Sequence, residues 1–260
     1  MLNFLKSILS FLFPPKKPEP VKVEPAPEVK PEPLPVPEVK AEPVPVPEVK
    51  PEPVPEKPFL NFPDISRYEP CDFKLFEVND MITKATEGTT IVDPTLLTNM
   101  KGCKEKGVRL GVYHFFRVNK DPVEQAKFFI KTVGLENLKA LYYEPIVDFE
   151  TSTVGTKQTE ADMRKAIPQL QIFMDYIEKE TGRAPIFYSY ESLIRYLELP
   201  SSFARYKLWI ARYGKEPTSY LPWKQYWVWQ YSDGSINNPK YPDSFKGIGR
   251  CDANVFWDKK

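Results

Sequence analysis

The chain has 260 residues, a formal net charge of +1, and 42% hydrophobic with 14% aromatic residues, enough to bury the core of one large domain or two smaller ones. Such balanced charge creates no strong overall field and excludes a protein built to attract nucleic acid or an acidic partner. Three cysteines, Cys71, Cys103 and Cys251, are too few and too scattered for a disulfide framework or a metal cluster, so we expect unpaired thiols.

Residues 1–13, MLNFLKSILSFLF, form an apolar segment. A helix that spans a bilayer needs roughly 20 apolar residues, so this segment is too short to cross one unaided. As a helix it would place Asn3, Lys6 and Ser10 on one side, which favours a helix lying in a membrane interface. Two alternatives stay open: a signal-peptide core, although no basic region precedes it and no small-residue cleavage site follows, and a hydrophobic end that docks on its own domain or a partner.

Residues 14–58 form a proline-rich segment that holds 17 of the 29 prolines and repeats PEVK from Pro27, Pro37 and Pro47. Proline at every second or third position removes amide donors and fixes φ, which excludes helix and sheet. We predict a disordered, extended linker of at most about 140 Å that acts as a semi-rigid tether. Ligand motifs for proline-reading domains are the alternative role.

The composition changes at Phe59, and residues 59–260 are predicted to form one folded domain. All 11 glycines and all five tryptophans lie beyond this point. Short apolar runs alternate there with helical patterns, which is typical of parallel βαβ units. Eight runs are predicted strands: NFPDISRY, MITKATEG, RLGVYHFFR, EPIVDFE, APIFYSY, KLWIARYG, YWVWQYS and RCDANVFW.

Three longer patterns predict helices between these strands: PTLLTNMKGCKEKG, DPVEQAKFFIKTVG and TEADMRKAIPQLQIFMDYIEKETG. In the last we expect Thr159 at the N-cap, a kink at Pro168 and a C-terminal stop at Gly182. Eight strands indicate a barrel, although the last ones follow each other with little room for helices. We therefore expect an α/β fold, an irregular and incomplete (β/α) barrel.

The stretch EPIVDFE ends a buried-looking strand with two acids, Asp148 and Glu150. Side chains at i and i+2 leave the same face of a strand, so this spacing aims both carboxyl groups at one place. Crowded like charges are costly unless a site needs them. The pair is either a polar strand end that faces water or a paired-carboxylate active site.

Polar side chains also mark the ends of the other strands, where the functional groups of parallel barrels gather. If the barrel closes, Asp64 and Asp252 converge on the Asp148–Glu150 pair. For Asp252, hydrogen bonding to loop amides is an alternative to a direct role. The candidate substrate-binding residues at these ends are Asp252, Tyr113, Tyr188, Tyr213, Gln230 and Tyr231.

Carboxyl groups ringed by aromatic residues are what the cleavage of a glycosidic bond requires. One acid must hold a proton for the leaving oxygen, while another stays charged beside the oxocarbenium-like centre or assists its capture. Crowding supplies the first of these, because it raises the pKa of the carboxyl that loses the competition for charge. Aromatic faces stack on sugar rings, and we expect at least one of Trp223, Trp227 and Trp229 to do so while the others join the core.

Other chemistries have less support. His114 is the only histidine, which excludes an HExxH zinc site, and its setting in VYHFF favours a hydrogen-bonded strand residue. The sequence has no GxSxG, Walker or GxGxxG motif. We therefore expect no metal, no cofactor and no nucleic-acid partner, and we expect a monomer.

Nine blocks occur in order between residues 60 and 257: PDISRYEPCDF, ITKATEGTTIVDPTLLTNM, GVYHFFR, QAKFF, IVDFE, IFYSY, LWIARYG, WQYSDG and GIGRCDANVF. Together they resemble the signature of glycoside hydrolase family 25, the lysozymes (N-acetylmuramidases) of bacteriophages, bacteria and fungi. The resemblance does not extend to the first 58 residues. It implies a flattened, irregular α/β barrel that hydrolyses the β-1,4 bond between N-acetylmuramic acid and N-acetylglucosamine.

The resemblance also implies roles for the acids. Glu150 matches the general acid, and Asp148 matches the residue that orients or stabilises the N-acetamido group of the substrate, the internal nucleophile. Asp64, the third residue predicted to be catalytic, and Asp252 match aspartates that bind substrate and tune the charge of the pair. Family members usually carry glycine just before the first aspartate, where this chain has Pro63.

The predicted function is therefore that of a peptidoglycan hydrolase acting outside the cytoplasm on the cell wall, a phage endolysin for host lysis. Bacterial peptidoglycan is the expected partner, and residues 1–13 would add a membrane contact. Three alternatives remain: a bacterial autolysin, an enzyme of the same fold that cuts another glycan such as chitin, and a non-catalytic glycan-binding protein.

Overall fold

A computed structural model describes residues 61–235 and 241–256 of the chain. The predictions for the apolar segment 1–13 and the linker 14–58 lie outside these ranges, as does the predicted domain boundary at Phe59. Within the described ranges, no helix combines the length and the apolar character needed to span a bilayer.

The described residues form eleven strands, six α-helices and one 3₁₀ helix, joined by loops. The strands are β1 (Asn61–Ile65), β2 (Asp80–Glu87), β3 (Ile91–Val92), β4 (Arg109–Phe115), β5 (Ile146–Asp148), β6 (Ile186–Tyr190), β7 (Leu208–Ala211), β8 (Val228–Asp233), β9 (Ser244–Phe245), β10 (Gly249–Arg250) and β11 (Asp252–Phe256). The helices are α1 (Leu96–Lys106), α2 (Pro122–Val133), α3 (Leu135–Ala140), α4 (Glu160–Lys165), α5 (Ile167–Thr181), α6 (Glu191–Leu197) and the 3₁₀ helix (Ser201–Arg205). All eight predicted strands are present, whereas the sequence patterns did not predict α3, α6 or the 3₁₀ helix.

Eight strands close into a barrel in the order β1, β2, β4, β5, β6, β7, β8 and β11. Every neighbouring pair from β1 to β8 is parallel, because helical crossovers separate most of these strands in the sequence. β11 follows β8 after the small β9–β10 ribbon and runs antiparallel to both β8 and β1. The prediction of an irregular α/β barrel is confirmed, and the barrel is closed rather than incomplete.

Alternate residues of each strand face the barrel interior and the surrounding helices. The interior holds a small apolar cluster that includes Ile82, Ile146 and Val228. The larger core lies on the outer face of the strands and contains Phe149 and Phe187. The strands are thus apolar on both faces, which is why they appear in the sequence as nearly continuous apolar runs.

His114 on β4 belongs to the outer core and is the hydrogen-bonded strand residue that its sequence setting predicted. Its ring is fully buried and stacks on Phe173 with 5.0 Å between the ring centroids. One ring nitrogen lies 2.7 Å from the Thr86 hydroxyl and the other 3.2 Å from Gln125 Oε1. Burial lowers the pKa of His114 to about 3, so the imidazole is neutral and structural.

The long predicted helix is two helices in the structure. Thr159 caps α4 in a reciprocal capping box with Asp162, as expected. The helix breaks at Ala166, and Pro168 lies in the first turn of α5, where its missing amide costs no helical hydrogen bond. The predicted kink is therefore a full interruption. Gly182 ends α5 in the left-handed region at φ 71°, as expected for a C-terminal glycine.

Aromatic rings and one ion pair close the amino-terminal end of the barrel. The ring of Tyr143 lies 5.3 Å from Trp227 and 5.9 Å from Phe256, measured between centroids. The Tyr143 hydroxyl donates to the buried carboxylate of Asp80, and Arg109 Nη2 lies 2.5 Å from the same carboxylate. The charge of Asp80 is therefore balanced, and this end of the barrel is structural.

Candidate active site

Strand ends bring four carboxyl groups to the opposite end of the barrel. Asp64 lies near the carboxyl end of β1, Asp148 ends β5, and Glu150 follows two residues later. Asp252 begins β11, but the antiparallel direction of β11 puts its first residue at the carboxyl ends of the other strands, directly opposite Asp64. The four acids predicted from the sequence therefore share the barrel end at which parallel barrels carry their functional groups.

Gln230 on β8 is the polar hub of this cluster. Its side-chain amide donates to Asp64 Oδ2 at 2.9 Å and to Asp252 Oδ2 at 3.4 Å. Its Oε1 accepts from the Tyr188 hydroxyl at 2.8 Å and from the Tyr213 hydroxyl at 3.4 Å. One buried side chain thus joins two predicted carboxyl groups to two predicted tyrosines.

Asn254 gives Asp64 a second donor, although it lies outside the predicted site residues. Its Nδ2 donates to Asp64 Oδ2 at 2.7 Å, and its own Oδ1 accepts from Trp209 Nε1 at 2.7 Å. Because β8 and β11 pair Asn254 with Gln230, both amide groups reach the same carboxylate. Asp64 is therefore held in one orientation as a hydrogen-bonded anion.

Asp148, unlike Asp64, is buried with one oxygen that accepts no hydrogen bond from the described residues. Its side chain is only 5% exposed, and its Oδ1 has no hydrogen-bond partner among the described residues. Leaving a buried polar atom unpaired costs on the order of 1–3 kcal/mol. Burial and then the charge of Glu150 raise the pKa of Asp148 well above the usual range of an aspartate.

The remaining acids also titrate above their ordinary values. Burial, reinforced by the charge of Asp64, raises the pKa of Glu150 to about 7. The same two causes raise the pKa of Asp252 to about 9. Burial raises the pKa of Asp64 to about 6, against its two amide hydrogen bonds. Because Asp148 and Glu150 repel each other, their protons belong to the pair, and the pair keeps at least one of them near neutral pH.

The backbone of Glu150 is fixed by Gln158. The buried Gln158 side chain donates to Glu150 O at 2.6 Å and to Phe116 O at 3.2 Å, and it accepts from Val118 N at 3.3 Å. These bonds tie the chain after β5 to the chain after β4. Glu150 itself is half-buried and lines the open cleft, whereas Asp148 is buried and does not line it.

The cleft beside Glu150 has a volume of about 410 Å³. Its walls include Tyr188, Tyr190 and Tyr213, and the last of these is 41% exposed. Tyr113 lies on the other side of the carboxyl cluster, where burial and the charges of Asp148, Asp64, Asp252 and Glu150 raise its pKa. Three of the predicted tyrosines, at positions 113, 188 and 213, therefore lie at the site.

Lys84 on β2 is a site residue that sequence reasoning missed. It is half-buried, and in the barrel register it lies opposite Tyr113. Its positive charge lowers the pKa values of Asp148 and Glu150, in opposition to their burial. The signal that could have found it is the strand period: in MITKATEG the lysine shares the interior face of Ile82.

Lys84 is itself part of a charged chain. Its ammonium group lies 2.7 Å from Glu87 Oε2, and Glu87 Oε1 accepts from Arg117 Nε at 2.9 Å. The two cations lower the pKa of Glu87, which keeps this carboxylate ionised. The three charges come from β2 and from the segment after β4, so only the closed barrel reveals them as one group.

The prediction that Tyr231 binds substrate is wrong. Tyr231 lies on the face of β8 opposite Gln230, and its side chain is fully buried. Its ring packs against Trp229 and Tyr241 at centroid distances of 5.8 and 5.1 Å, and its hydroxyl donates to Pro242 O. Neighbouring residues of a strand point to opposite faces. Because Gln230 points into the barrel, Tyr231 must point towards the outer core.

The expected tryptophan platform is also absent from this cleft. Trp223 and Trp229 are buried, and their indole nitrogens donate to Tyr206 O and Arg212 O at 2.8 and 2.7 Å. Trp227 precedes β8 and lies at the closed end of the barrel. None of the three lines the cleft, whose aromatic walls are tyrosines.

The carboxyl cluster is not arranged as a metal site. Across residues 61–235 and 241–256, no three His, Cys, Asp or Glu side chains come together in a way that could hold a metal ion. Cys71, Cys103 and Cys251 are free thiols, as the sequence predicted.

A closed α/β barrel that carries a carboxyl pair in a tyrosine-lined cleft is an architecture on which glycoside hydrolases are built. Comparison with protein families makes this assignment specific. The chain belongs to glycosyl hydrolases family 25, whose family model matches residues 64–238.

Individual relatives agree with this assignment. The chain is 29% identical over 170 residues to the uncharacterised protein YegX of Escherichia coli strain K12, a match that covers 63% of this chain and 58% of YegX. It is 32% identical over 157 residues to an autolytic lysozyme of Clostridium acetobutylicum, covering 59% of this chain and 44% of that protein. The solved structure of a muramidase from Acremonium alcalophilum superposes with a TM-score of 0.62 at 25% identity, covering 77% of this chain and 94% of the other. The chain thus spans less than two thirds of the length of either YegX or the autolytic lysozyme.

Proposed function

We propose that the protein is a lysozyme that cleaves peptidoglycan at the β-1,4 bond between N-acetylmuramic acid and N-acetylglucosamine. One observation carries the proposal: Asp148 and Glu150 are crowded together beside an open cleft lined by tyrosines, and the pKa values of both are raised despite the nearby charge of Lys84. The relatives named lysozyme and muramidase support the choice of substrate.

Glu150 acts as the general acid. Its pKa of about 7 lets it hold a proton near neutral pH, and its position at the cleft lets it reach the glycosidic oxygen. Asp148 also holds its proton strongly, but it is buried and does not line the cleft, so it cannot reach the leaving group. Access, rather than acidity alone, therefore assigns the donor.

Asp148 holds the N-acetamido group of the substrate. Its unpaired Oδ1 is available to accept a hydrogen bond from the acetamido N–H, which would satisfy a group that the folded chain leaves unpaired. The acetamido oxygen attacks the anomeric carbon as Glu150 protonates the departing oxygen and the glycosidic bond breaks. Water, deprotonated by Glu150, then opens the cyclic intermediate and restores the acetamide, so the configuration at the anomeric carbon is retained.

The deciding experiment compares Glu150→Gln with the wild-type chain on purified peptidoglycan. Loss of the proton donor should reduce the rate of reducing-end release by on the order of 10² to 10⁴-fold. The control is Glu105→Gln on the exposed face of α1, which should keep the wild-type rate. Muramic acid should be the sugar at the new reducing ends.

Three outcomes would contradict this proposal. Wild-type activity in Glu150→Gln would remove the general acid from the mechanism. N-acetylglucosamine at the reducing ends would indicate a different glycosidase of the same fold. Binding of peptidoglycan by the wild-type chain without any bond cleavage would indicate a glycan-binding protein.

We further propose that the enzyme works outside the cytoplasm as a phage endolysin, with residues 14–58 as a tether and residues 1–13 as a membrane-interface segment. The apolar character of the first segment and the proline repeat of the second support this role. Deleting residues 1–58 should reduce both recovery in the membrane fraction and lysis of cells. Unchanged values for both measurements would rule out the tether role.

A further inference from the structure

Three lysines flank the chain segment that follows Glu150. Lys120 lies just before α2, Lys157 lies in the loop before α4, and Lys165 ends α4. We call them the lysine strip. They line two adjoining hollows of about 210 and 320 Å³, which share Asn119 as a common wall.

The loop that carries Lys157 is held in place by buried charges. Arg117 donates to Val154 O at 2.9 Å and to Thr156 O at 3.2 Å, and its guanidinium is itself held by Glu87. The Arg117 side chain is only 8% exposed, so these bonds are shielded from water. The loop is therefore held in one conformation by buried hydrogen bonds, and we call it the fixed loop.

A second set of bonds closes the base of the same loop. Ser152 and Gln158 exchange backbone hydrogen bonds of 3.1 and 3.0 Å. Gln158 also binds the carbonyl of Glu150, so the loop leaves the site within two residues of the catalytic acid. Lys157 is thus positioned by the same contacts that position Glu150.

The lysine strip has an excess of positive charge. Across the residues that the structure describes, none of its three lysines forms an ion pair, and all three are exposed. Two carboxylates line the hollows. Glu87 is bound by Lys84 and Arg117, whereas Asp162 accepts from the Thr159 amide at 2.8 Å and stays ionised, because its hydrogen bonds from Thr159 and then the charges of Lys165 and Lys157 lower its pKa. The three lysines still outnumber this one carboxylate. The exposed cations are therefore available to an anionic ligand.

We propose that the lysine strip binds the carboxylates of the peptide stem attached to the muramic acid of the substrate, an inference that rests on the proposed muramidase function. The sugar backbone of peptidoglycan offers few charges, whereas its peptide stems carry free carboxylates. The fixed loop begins two residues after Glu150 and is tied to its carbonyl by Gln158, so we place the stem of a sugar bound at Glu150 beside this loop. Lysine side chains at a solvated rim attract such groups over a Debye length of about 8 Å at physiological salt.

The test uses one glycan in two forms. Peptidoglycan freed of other anionic wall polymers is compared with the same chains after an amidase has removed the peptide stems. The variant Lys120→Glu/Lys157→Glu should lose about tenfold in kcat/KM on the intact substrate, mostly through KM, because two rim contacts become repulsive. On the stripped chains it should stay within about twofold of wild type.

The matched control is Lys104→Glu/Lys224→Glu, which reverses two exposed lysines that line neither hollow. It should match wild type on both substrates. The milder variant Lys120→Gln/Lys157→Gln should give a smaller, salt-sensitive loss on the intact substrate only, so the result does not depend on one variant folding well.

Equal losses on the two substrates, or no loss on either, would overturn the stem-binding site. These outcomes leave hydrolysis itself intact, so they are distinct from a failure of the proposed function. A wild-type chain that releases no reducing ends from either substrate would overturn the muramidase proposal, and the stem site with it.

Discussion

The two ends of the barrel treat a buried carboxyl group in opposite ways. At the amino-terminal end, Asp80 is 1% exposed and is bound by Arg109 and the Tyr143 hydroxyl. At the carboxyl end, Asp148 is almost as deeply buried but faces another acid, Glu150, and leaves one oxygen unpaired. The same barrel thus carries one satisfied acid, on β2, and one unsatisfied acid, on β5.

This difference separates structure from function. A buried carboxylate that has a cation and a hydrogen-bond donor beside it contributes to a specific fold. Removing either member of such an ion pair leaves the other charge unpaired and destabilises the protein. A buried acid placed beside another acid destabilises the empty protein and persists where chemistry requires a raised pKa. The comparison predicts that substitutions at the two ends will have opposite effects on stability and activity.

Replacing Asp148 by Asn should have the largest effect on activity. The Asp148→Asn variant should lose on the order of 10²-fold or more in activity while remaining at least as stable as wild type, because an amide keeps the shape of the carboxyl group and cannot become a buried charge. The matched Asp80→Asn variant should lose about 1–3 kcal/mol of unfolding free energy, since Arg109 loses its anion, and keep its rate per folded molecule. Urea unfolding and reducing-end release from peptidoglycan measure both quantities. A destabilised Asp148→Asn would contradict the assignment.

Lys84 offers the next test, because its charge opposes the raised pKa values of both Asp148 and Glu150. Removing its charge in Lys84→Met should raise the pKa of Glu150 further and move the pH optimum of hydrolysis towards higher pH. Above about pH 7 the variant should keep a larger fraction of its maximal activity than wild type, because Glu150 stays protonated there. Lys84→Arg keeps the charge and should keep the wild-type profile. A uniform loss of rate with an unmoved optimum in Lys84→Met would point to a purely structural role.

The acids at the site also predict how stability depends on pH. A carboxyl group whose pKa is raised by folding binds its proton more tightly in the folded state. Its contribution is therefore complete below the unfolded pKa and lost as the pH rises through the folded value. For Glu150 this window runs from 4.5 to about 7, and for Asp252 from 3.8 to about 9.

Because of these two groups, the unfolding free energy should decline between about pH 4 and pH 9. Glu150→Gln should flatten the lower half of that decline, and Asp252→Asn should flatten both halves. Urea titrations monitored by tryptophan fluorescence at several pH values measure the slopes. Variant curves that run parallel to wild type would show that these acids titrate normally in the folded chain.

Much of the fold could be predicted because its strands and caps have local causes. The eight strands appear as apolar runs, and Thr159 and Gly182 mark the ends of their helical region through the chemistry of their own side chains or backbone. Barrel closure and the reversal of β11 could not be read in this way. They depend on pairings between segments that are almost 200 residues apart, such as Asp64 with Asp252.

The candidate site shows the same division. The Asp148–Glu150 spacing is a local pattern, and its meaning could be inferred from the strand period alone. Lys84 was missed because its relevance comes from a neighbouring strand, and the role of Gln158 depends on a loop that returns to Glu150. The prediction for Tyr231 was wrong for a different reason. It placed the neighbours Gln230 and Tyr231 in one site, although adjacent residues of a strand point to opposite faces.

The error at Tyr231 gives the smallest of the predicted effects. Tyr231→Phe removes only a hydroxyl that donates to Pro242 O in the outer core, so the loss should be about 1 kcal/mol in unfolding free energy, with hydrolysis within about twofold of wild type.

Tyr188→Phe is the matched change on the interior face. It removes the shorter of the two hydrogen bonds that Gln230 Oε1 accepts and so loosens the amide that orients Asp64 and Asp252. Activity should fall by roughly tenfold, in line with the loss of a buried hydrogen bond that orients a site. The two variants are compared in the same hydrolysis assay. Equal losses of activity would contradict the assignment of Tyr188 to the site and of Tyr231 to the outer core.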